Sequence, residues 1–347
     1  MKNNRLIYLI LIIMGIWLLI LSLSLPTNEK NDQPININEI NVSGFSTDFT
    51  KIVDDNKDSI VTISADNNIA TGFVYSQNDN RVYIVTAYHS IAGSNNINVS
   101  FGIAYNLSAK VVGFDEYTDI ALLVVESPYT INHLKLGDAT LLKRGEFVIN
   151  IGTPINIDYA GNVSMAMVSS PLLTIDNSIT IEDNTTNYYL DVIALSSNLK
   201  SGYSGSPVLN MNGELVGMIT MNFDDNFDMA ITVNEIKIIV DKILSENEYE
   251  KSLFGIKGIY IKDMPNYEKT NLNLDIQIIN GIYVSRVREN SICFNAGIRT
   301  GDIITRINDI EIHNVNDYLL ASYGEYTEFN FEVIRNNETI HLGITND

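Results

Sequence analysis

The stretch Gly202-Tyr203-Ser204-Gly205-Ser206-Pro207 decides how the rest of the chain is interpreted. A nucleophilic serine needs a tight turn that lifts its hydroxyl clear of neighbouring side chains, and the flanking glycines allow that backbone geometry. The same turn can direct the N–H groups of Gly202 and Ser204 at one point, so we expect an oxyanion hole within Gly202, Tyr203 and Ser204. Taken alone, the hexapeptide also fits an ordinary glycine-serine turn between strands.

Two further motifs precede this turn. Thr86-Ala87-Tyr88-His89 ends a β-type run, so His89 can project into a cleft as the general base that a serine nucleophile needs. Asp119 stands directly before an apolar run at 120–125, where a carboxylate can orient the imidazole. The order His, Asp, Ser is that of chymotrypsin and differs from that of subtilisin and the α/β-hydrolases. The sequence therefore predicts a catalytic triad of His89, Asp119 and Ser204.

Composition excludes several other classes of function. The 347 residues are enough for two domains, and the formal charge of -20, from 42 acidic and 22 basic residues, disfavours nucleic acid as a partner. The single cysteine, Cys293, leaves no intrachain disulfide and no Cys-His zinc cluster. We expect neither a metal nor a cofactor.

The N-terminus contains a run of 20 residues without a charge, Leu6 to Leu25, preceded by Lys2 and Arg5. A helix of that length spans roughly 30 Å, the thickness of the hydrocarbon core of a bilayer. We interpret residues 1–26 as an uncleaved transmembrane helix in the cell membrane, with the rest of the chain on the extracytoplasmic side. A cleaved signal peptide is the alternative, and it also sends the rest of the chain across the membrane.

Beyond this segment, residues 27–57 are polar and aperiodic and predict a flexible linker. Short apolar β-type runs then predict a mainly β barrel or sandwich. They lie at 60–63, 82–86, 97–101, 120–125, 147–151 and 229–231. From Val233 to Leu244 the apolar residues repeat at helical spacing, and Thr232 with Glu235 form a capping pair at its start. This helix closes a first domain at 58–248, and a second, small α+β domain occupies 253–345.

On these motifs the chain resembles the HtrA (DegP-like) family over about residues 58–345. The matching stretches are 70–74, 86–89, 112–115, 118–123, 136–138, 151–154, 202–206 and 213–217. The resemblance implies a chymotrypsin-like double β-barrel with its site in the cleft, and a serine endopeptidase that cleaves unfolded or misfolded extracytoplasmic proteins without ATP. It also implies homotrimers. The chain departs from the family at Tyr88 and Tyr203, where Asn is usual, at Gly205-Ser206 for Gly-Gly, and at Lys200-Ser201 for Asn-Pro.

The same resemblance assigns the walls of the S1 pocket, which receives the substrate side chain before the scissile bond. One wall is Ser197, Asn198 and Leu199, and the other is Met218, Ile219 and Thr220. None of the six is charged, so we expect a preference for medium apolar side chains. Ile219 stands where glutamyl endopeptidases carry a histidine, which argues against specificity for Glu.

The second domain resembles a PDZ domain through the stretch 295–308 and the apolar strand 281–287. Leu253-Phe254-Gly255-Ile256 matches the loop whose N–H groups bind a peptide carboxylate, so peptide C-termini are the expected partners. Two alternatives stay open: a PDZ domain without a ligand, and a non-catalytic peptide-binding chaperone or scaffold that retains the protease fold.

Overall fold

The computed structural model of the chain describes residues 13–14, 16–17, 49–102, 104–181, 184–220, 227–245, 251–324 and 326–345. Helices α1–α5 span Phe49–Asn56, Val233–Leu244, Asn266–Asn271, Ile292–Asn295 and Val315–Ser322. Strands β1–β7 span Ile60–Ala65, Asn68–Asn78, Arg81–Ala87, Ile97–Phe101, Tyr105–Ser108, Lys110–Asp115 and Ile120–Glu126. Strands β8–β14 span Lys135–Leu136, Phe147–Gly152, Asn162–Ile181, Asn184–Leu195, Pro207–Leu209, Glu214–Ile219 and Asp228–Thr232. Strands β15–β20 span Ile256–Tyr260, Ile282–Val287, Ile303–Ile307, Ile310–Glu311, Glu328–Arg335 and Glu338–Thr345.

The first sheet contains seven strands in the order β5-β4-β1-β2-β3-β7-β6. Its strands follow the apolar runs of the sequence, because β-branched residues such as Val82, Ile84 and Val99 are buried in its interior. The predicted runs at 60–63, 82–86, 97–101 and 120–125 are confirmed as strands. Strands β3 and β7 lie side by side, which brings the ends of two predicted site motifs together.

The second sheet closes on itself. Its order is β12-β9-β10-β11-β14-β13, a further pairing of β12 with β13 completes a ring of six strands, and β8 adds to β13 from outside. Its core merges with that of the first sheet, since Phe73 and Val85 belong to the same buried cluster as Val148 and Val208. The segment from residue 196 to 206 joins β11 to β12, so the sheet holds the predicted nucleophile turn at both ends.

Helix α2 follows β14 directly and confirms the helix predicted from periodicity. The Thr232 hydroxyl accepts a hydrogen bond from the N–H of Glu235, which is the first half of a capping box. The second half is absent from the described bonds of this helix: the Glu235 carboxylate instead accepts from Lys251 Nζ at 2.6 Å and from the Tyr323 hydroxyl at 2.8 Å. The helix start is therefore joined to residues of the second domain.

The third sheet belongs to the second domain and has the order β15-β16-β17-β19-β20, with β18 on β17. Phe254 lies at the centre of its core, with its ring against those of Tyr318, Phe329 and Phe331. The mixture of short helices and antiparallel strands matches the predicted α+β domain.

Two expectations about the N-terminal part need comment. The segment 27–57, predicted to be a linker, contains helix α1, because Phe49, Ile52 and Val53 share one face and Ile52 is buried against the protein. Of the predicted membrane-spanning residues only Ile13, Met14, Ile16 and Trp17 are described; they are helical and exposed, and the others lie outside the described residues. Within the described ranges, no helix combines the length and the apolar character that crossing a membrane requires.

Candidate active site

Neighbouring strands of the first sheet position the histidine and the aspartate. His89 lies in a short 3₁₀ turn directly after β3, and Asp119 immediately precedes β7. Ala87 of β3 pairs with Ile120 of β7, and the N–H of Tyr88 donates to the carbonyl of Asp119 at 2.9 Å. The strand register therefore brings the two side chains together.

The three predicted triad residues form one chain of hydrogen bonds. His89 Nδ1 lies 2.6 Å from Asp119 Oδ2, and His89 Nε2 lies 3.1 Å from Ser204 Oγ. A carboxylate can only accept, so we assign the proton to Nδ1, which leaves the Nε2 lone pair directed at the serine hydroxyl. This is the arrangement in which an imidazole can take a proton from a serine that attacks a carbonyl.

Asp119 is fixed by more than the histidine. Its carboxylate accepts the backbone N–H of His89 at 2.7 Å and the hydroxyl of Thr220 at 2.5 Å. It is buried and has a φ of 60°, a left-handed conformation that Asp tolerates better than most residues. Thr220, which the sequence analysis assigned to the S1 pocket, thus contacts the triad carboxylate.

The nucleophile turn leaves two N–H groups available. Among the described residues, neither the N–H of Gly202 nor that of Ser204 donates to a protein acceptor. The N–H of Tyr203, by contrast, donates to the carbonyl of Lys200 at 3.2 Å, so it is not a free donor. Gly202 has a φ of +99°, and a Cβ there would lie 2.3 Å from the carbonyl oxygen of Thr153. The turn therefore requires glycine and presents two donors suited to an oxyanion.

Strand β2 of the first sheet holds this turn from the opposite side through Thr71, a buried residue. Its hydroxyl accepts the N–H of Thr153 at 2.9 Å and donates to the carbonyl of Gly202 at 2.7 Å, and its own N–H donates to the carbonyl of Ser204 at 3.0 Å. The sequence analysis gave Thr71 no role. A buried threonine beside apolar strand residues was the available signal, because buried hydroxyls are almost always hydrogen-bonded.

The residues assigned to the S1 pocket fall into different environments. Ser197, Asn198 and Leu199 lie in the segment that leads into the nucleophile turn, whereas the side chains of Met218 and Ile219 are buried in the core. The S1 assignment itself stays a prediction.

A charged group that the sequence analysis missed lies beside the first wall. Asp228 is fully buried; each of its carboxylate oxygens lies 3.0 Å from the N–H of Leu199, and its own N–H donates to the carbonyl of Ser197 at 3.2 Å. Asp228 thus fixes the start of the nucleophile segment. Its position at the start of an apolar strand gave no sign of this contact, which joins residues distant in sequence.

The predicted carboxylate-binding loop shows a similar pattern of open donors. Within the described part of the chain, the N–H groups of Leu253 and Gly255 have no protein acceptor, while Phe254 and Ile256 are buried. A cavity of about 350 Å³ lies beside the loop. It is lined by Leu253 and Gly255 of the loop, by the cationic residues Lys251 and Arg288, and by Thr186, Asn187 and Tyr188 of the first domain, among others.

Other chemistry finds little support in the described ranges. No group of three or more His, Cys, Asp or Glu side chains there could hold a metal ion. Cys293 is fully buried, and burial raises the pKa of its thiol, which opposes formation of a nucleophilic thiolate.

Comparison with known proteins identifies two domain families. Residues 70–218 match the trypsin-like peptidase domain family, and residues 254–345 match the PDZ domain family. The chain is 28% identical over 284 residues to the serine protease Do-like HtrA of Lactobacillus helveticus, covering 79% of this chain and 67% of that protein. It is 27% identical over 279 residues to the protein of the same name from Bacillus subtilis (strain 168), covering 77% of this chain and 61% of that protein.

Solved structures share the fold at lower sequence identity. The HtrA-type protease AlgW with a tripeptide superposes with a TM-score of 0.59 at 19% identity, over 85% of this chain and 95% of that one. The same protease with a decapeptide gives a TM-score of 0.54 at 18% identity, over 85% and 97% of the two chains. The match extends across both domains.

Proposed function

We propose that this chain, an HtrA-like trypsin-fold serine protease with one C-terminal PDZ domain, is an ATP-independent endopeptidase that cleaves unfolded or misfolded extracytoplasmic proteins. The observation that carries the proposal is the position of His89, 2.6 Å from Asp119 and 3.1 Å from Ser204. The two open donors at Gly202 and Ser204 complete the requirements of acyl transfer.

The mechanism follows from this geometry. Ser204 Oγ attacks the scissile carbonyl while His89 Nε2 accepts the hydroxyl proton. Asp119 holds the imidazole in the correct tautomer and stabilises the imidazolium, and the N–H groups of Gly202 and Ser204 bind the oxyanion of the tetrahedral intermediate. His89 then returns the proton to the leaving amine, and a water molecule hydrolyses the acyl-enzyme by the same steps.

Serine-directed labelling tests this function. A fluorophosphonate should label the wild type at Ser204, and Ser204→Ala should lose labelling and lower the rate of casein cleavage by about 10³-fold or more. Ser206→Ala is the matched control, since Ser206 is a buried neighbouring serine outside the triad and should remain labelled. A wild type that suppresses aggregation of an unfolded protein but is neither labelled nor proteolytic would identify the non-catalytic chaperone instead.

The S1 preference belongs to the same proposal. We expect medium apolar residues at the cleaved position, because the assigned walls carry no charge and the nearby Asp228 carboxylate is engaged by the Leu199 N–H. Cleavage of a peptide library with every residue at that position measures the preference. A profile dominated by Glu, Lys or Arg would refute it.

Peptide C-termini are the proposed ligands of the PDZ domain. Supporting this are the open N–H groups of Leu253 and Gly255, and the adjacent cavity with Lys251 and Arg288, which suit a carboxylate. A labelled peptide with an apolar C-terminal residue should bind, and its C-terminally amidated form should not. Equal binding of the two peptides would exclude carboxylate recognition.

Location and assembly rest on the sequence and on the resemblance. We propose that residues 1–26 anchor the chain in the cell membrane, with both domains outside, and that three chains associate. Externally added protease should degrade both domains in intact cells, and light scattering of purified residues 49–347 should give three times the chain mass. Protection of the domains in intact cells, or a monomer in solution, would refute the respective part.

A further inference from the structure

The loop of residues 153–161, which joins β9 to β10, lies against the nucleophile turn. The N–H of Ile155 donates to the carbonyl of Ser201 at 2.9 Å. The carbonyl and the N–H of one trans peptide point in opposite directions, so this bond directs the N–H of Gly202 away from the loop. The orientation of one oxyanion donor thus depends on the backbone of Ile155.

That backbone is in a strained conformation. Ile155 has a φ of +67°, and the N–H of Asn156 donates to the carbonyl of Pro154 at 2.7 Å, which makes the three residues a γ-turn of the strained kind. A β-branched residue with positive φ is a genuine outlier. The Ile155 side chain is 65% exposed, so its burial does not offset the strain. The surrounding structure must hold the turn in place.

Tyr203 contacts both ends of this loop. Its ring lies against Gly152, where an added Cβ would come within 2.8 Å of Tyr203 Cδ1, and its hydroxyl donates to Asn162 Oδ1 at 2.8 Å. Gly152 and Asn162 are paired residues of β9 and β10, and they close the base of the loop. Tyr203 itself is buried and directly precedes Ser204 in the chain. It is also one of the positions at which this chain departs from the family it resembles.

We propose that Tyr203 is a positioning residue of the oxyanion hole: by fixing the base of loop 153–161 it maintains the strained turn at Ile155, whose N–H orients the Ser201–Gly202 peptide. The proposal rests on the proposed protease function and deepens it. When the Tyr203 hydroxyl loses Asn162, the loop relaxes, the bond to Ser201 weakens and the Gly202 N–H turns away from the oxyanion.

Kinetics on a short chromogenic peptide test this role in the full chain. Tyr203→Phe should lower kcat by about 5- to 10-fold, the effect of one hydrogen bond, with KM within about twofold of the wild type. The inhibition constant of a peptide aldehyde, whose adduct needs the oxyanion hole, should rise by the same factor. Asn162→Ala removes the same bond from an exposed residue, and it should give the same result even if Tyr203→Phe folds poorly.

Relief of the strain provides a second readout that a merely structural role would not move. Ile155→Gly accepts a positive φ and keeps the N–H, so it should restore kcat of the Tyr203→Phe variant to within about twofold of the wild type. Ile157→Gly, an equally exposed change in the same loop, is the matched control and should not restore it.

The outcomes separate this role from the protease function itself. An active wild type with unchanged kcat in both Tyr203→Phe and Asn162→Ala, or equal rescue by the two glycine substitutions, overturns the role of Tyr203 alone. A wild type that cleaves nothing and is not labelled by a fluorophosphonate overturns the protease function, and this role with it.

Discussion

At the scale of single residues, Thr220 provides a sharp test of the triad. Its hydroxyl donates to Asp119 Oδ2, so Thr220→Val leaves the carboxylate with one donor fewer and a less fixed imidazole. We expect kcat on a chromogenic peptide to fall by about 10-fold with little change in KM. Thr220→Ser retains the hydroxyl and should keep most of the activity. Wild-type kcat in Thr220→Val would mean that this hydrogen bond does not support the triad.

Asp115 predicts a dependence of stability on pH. Burial raises the pKa of its carboxyl group, opposed by Lys251 and by the two hydrogen bonds from Thr118. A raised pKa means that the folded state binds the proton more tightly. The contribution of Asp115 to stability is therefore complete below the unfolded pKa of about 4 and is lost as pH rises through the folded pKa.

Asp115→Asn should accordingly raise the melting temperature at pH 7 and have no such benefit near pH 3, since the amide oxygen can still accept from Thr118. Thermal unfolding at the two pH values measures the difference. Asp309→Asn, at an exposed turn, is the control and should change the melting temperature equally at both. A benefit of Asp115→Asn that is independent of pH would contradict the assignment.

Sequence reasoning reached the side chains of the site but not the backbone contacts that hold them. His89, Asp119 and Ser204 each stand in a recognisable local pattern, and the structure brings them together. The contacts of Ile155 and Asp228 with the nucleophile segment, in contrast, are made with backbone groups far away in sequence. No pattern of residue types records such a bond, because almost any residue can supply an N–H or a carbonyl.

At the scale of elements, periodicity predicted the strands and helix α2 because burial of one face decides both. It did not predict α1, a helix of 8 residues in a polar segment with only Ile52 buried. Helices of that length form through tertiary packing rather than through intrinsic propensity, so the sequence carries little signal for them. The predicted capping pair was half right, because Glu235 is committed to distant partners.

The cap of helix α2 has a measurable contribution. Thr232→Ala removes the hydroxyl that accepts the Glu235 N–H, and we expect the free energy of unfolding to fall by about 1 kcal/mol. Thr232→Ser keeps the acceptor and should remain within a few tenths of that value. Urea denaturation of both variants gives the two numbers. An equal loss in both would assign the effect to the threonine methyl group rather than to the cap.

At the scale of the whole molecule, two ion pairs join the protease and PDZ domains. Glu235 pairs with Lys251 at 2.6 Å, with side chains only 2% and 9% exposed. Asp176 pairs with Arg288 at 2.6 Å, and the guanidinium lies 4.4 Å from the centre of the Tyr189 ring, but the aspartate is 59% exposed. The two pairs have similar distances and very different burial, so they should differ strongly in the cost of losing one partner.

Removal of one carboxylate from each pair tests how the domains are coupled. Glu235→Gln leaves Lys251 as a buried charge without its counter-ion, and we expect a loss of about 3–5 kcal/mol in the free energy of unfolding. Asp176→Asn leaves an arginine that still contacts Tyr189 and water, and we expect a loss of about 0–1 kcal/mol. Hydrogen exchange should show where the loss falls: in Glu235→Gln, amides of β15 to β17 should exchange more readily than those of β1 to β3, because the domains no longer open together. Equal small losses in the two variants, with exchange unchanged in both domains, would show that the buried pair does not couple them.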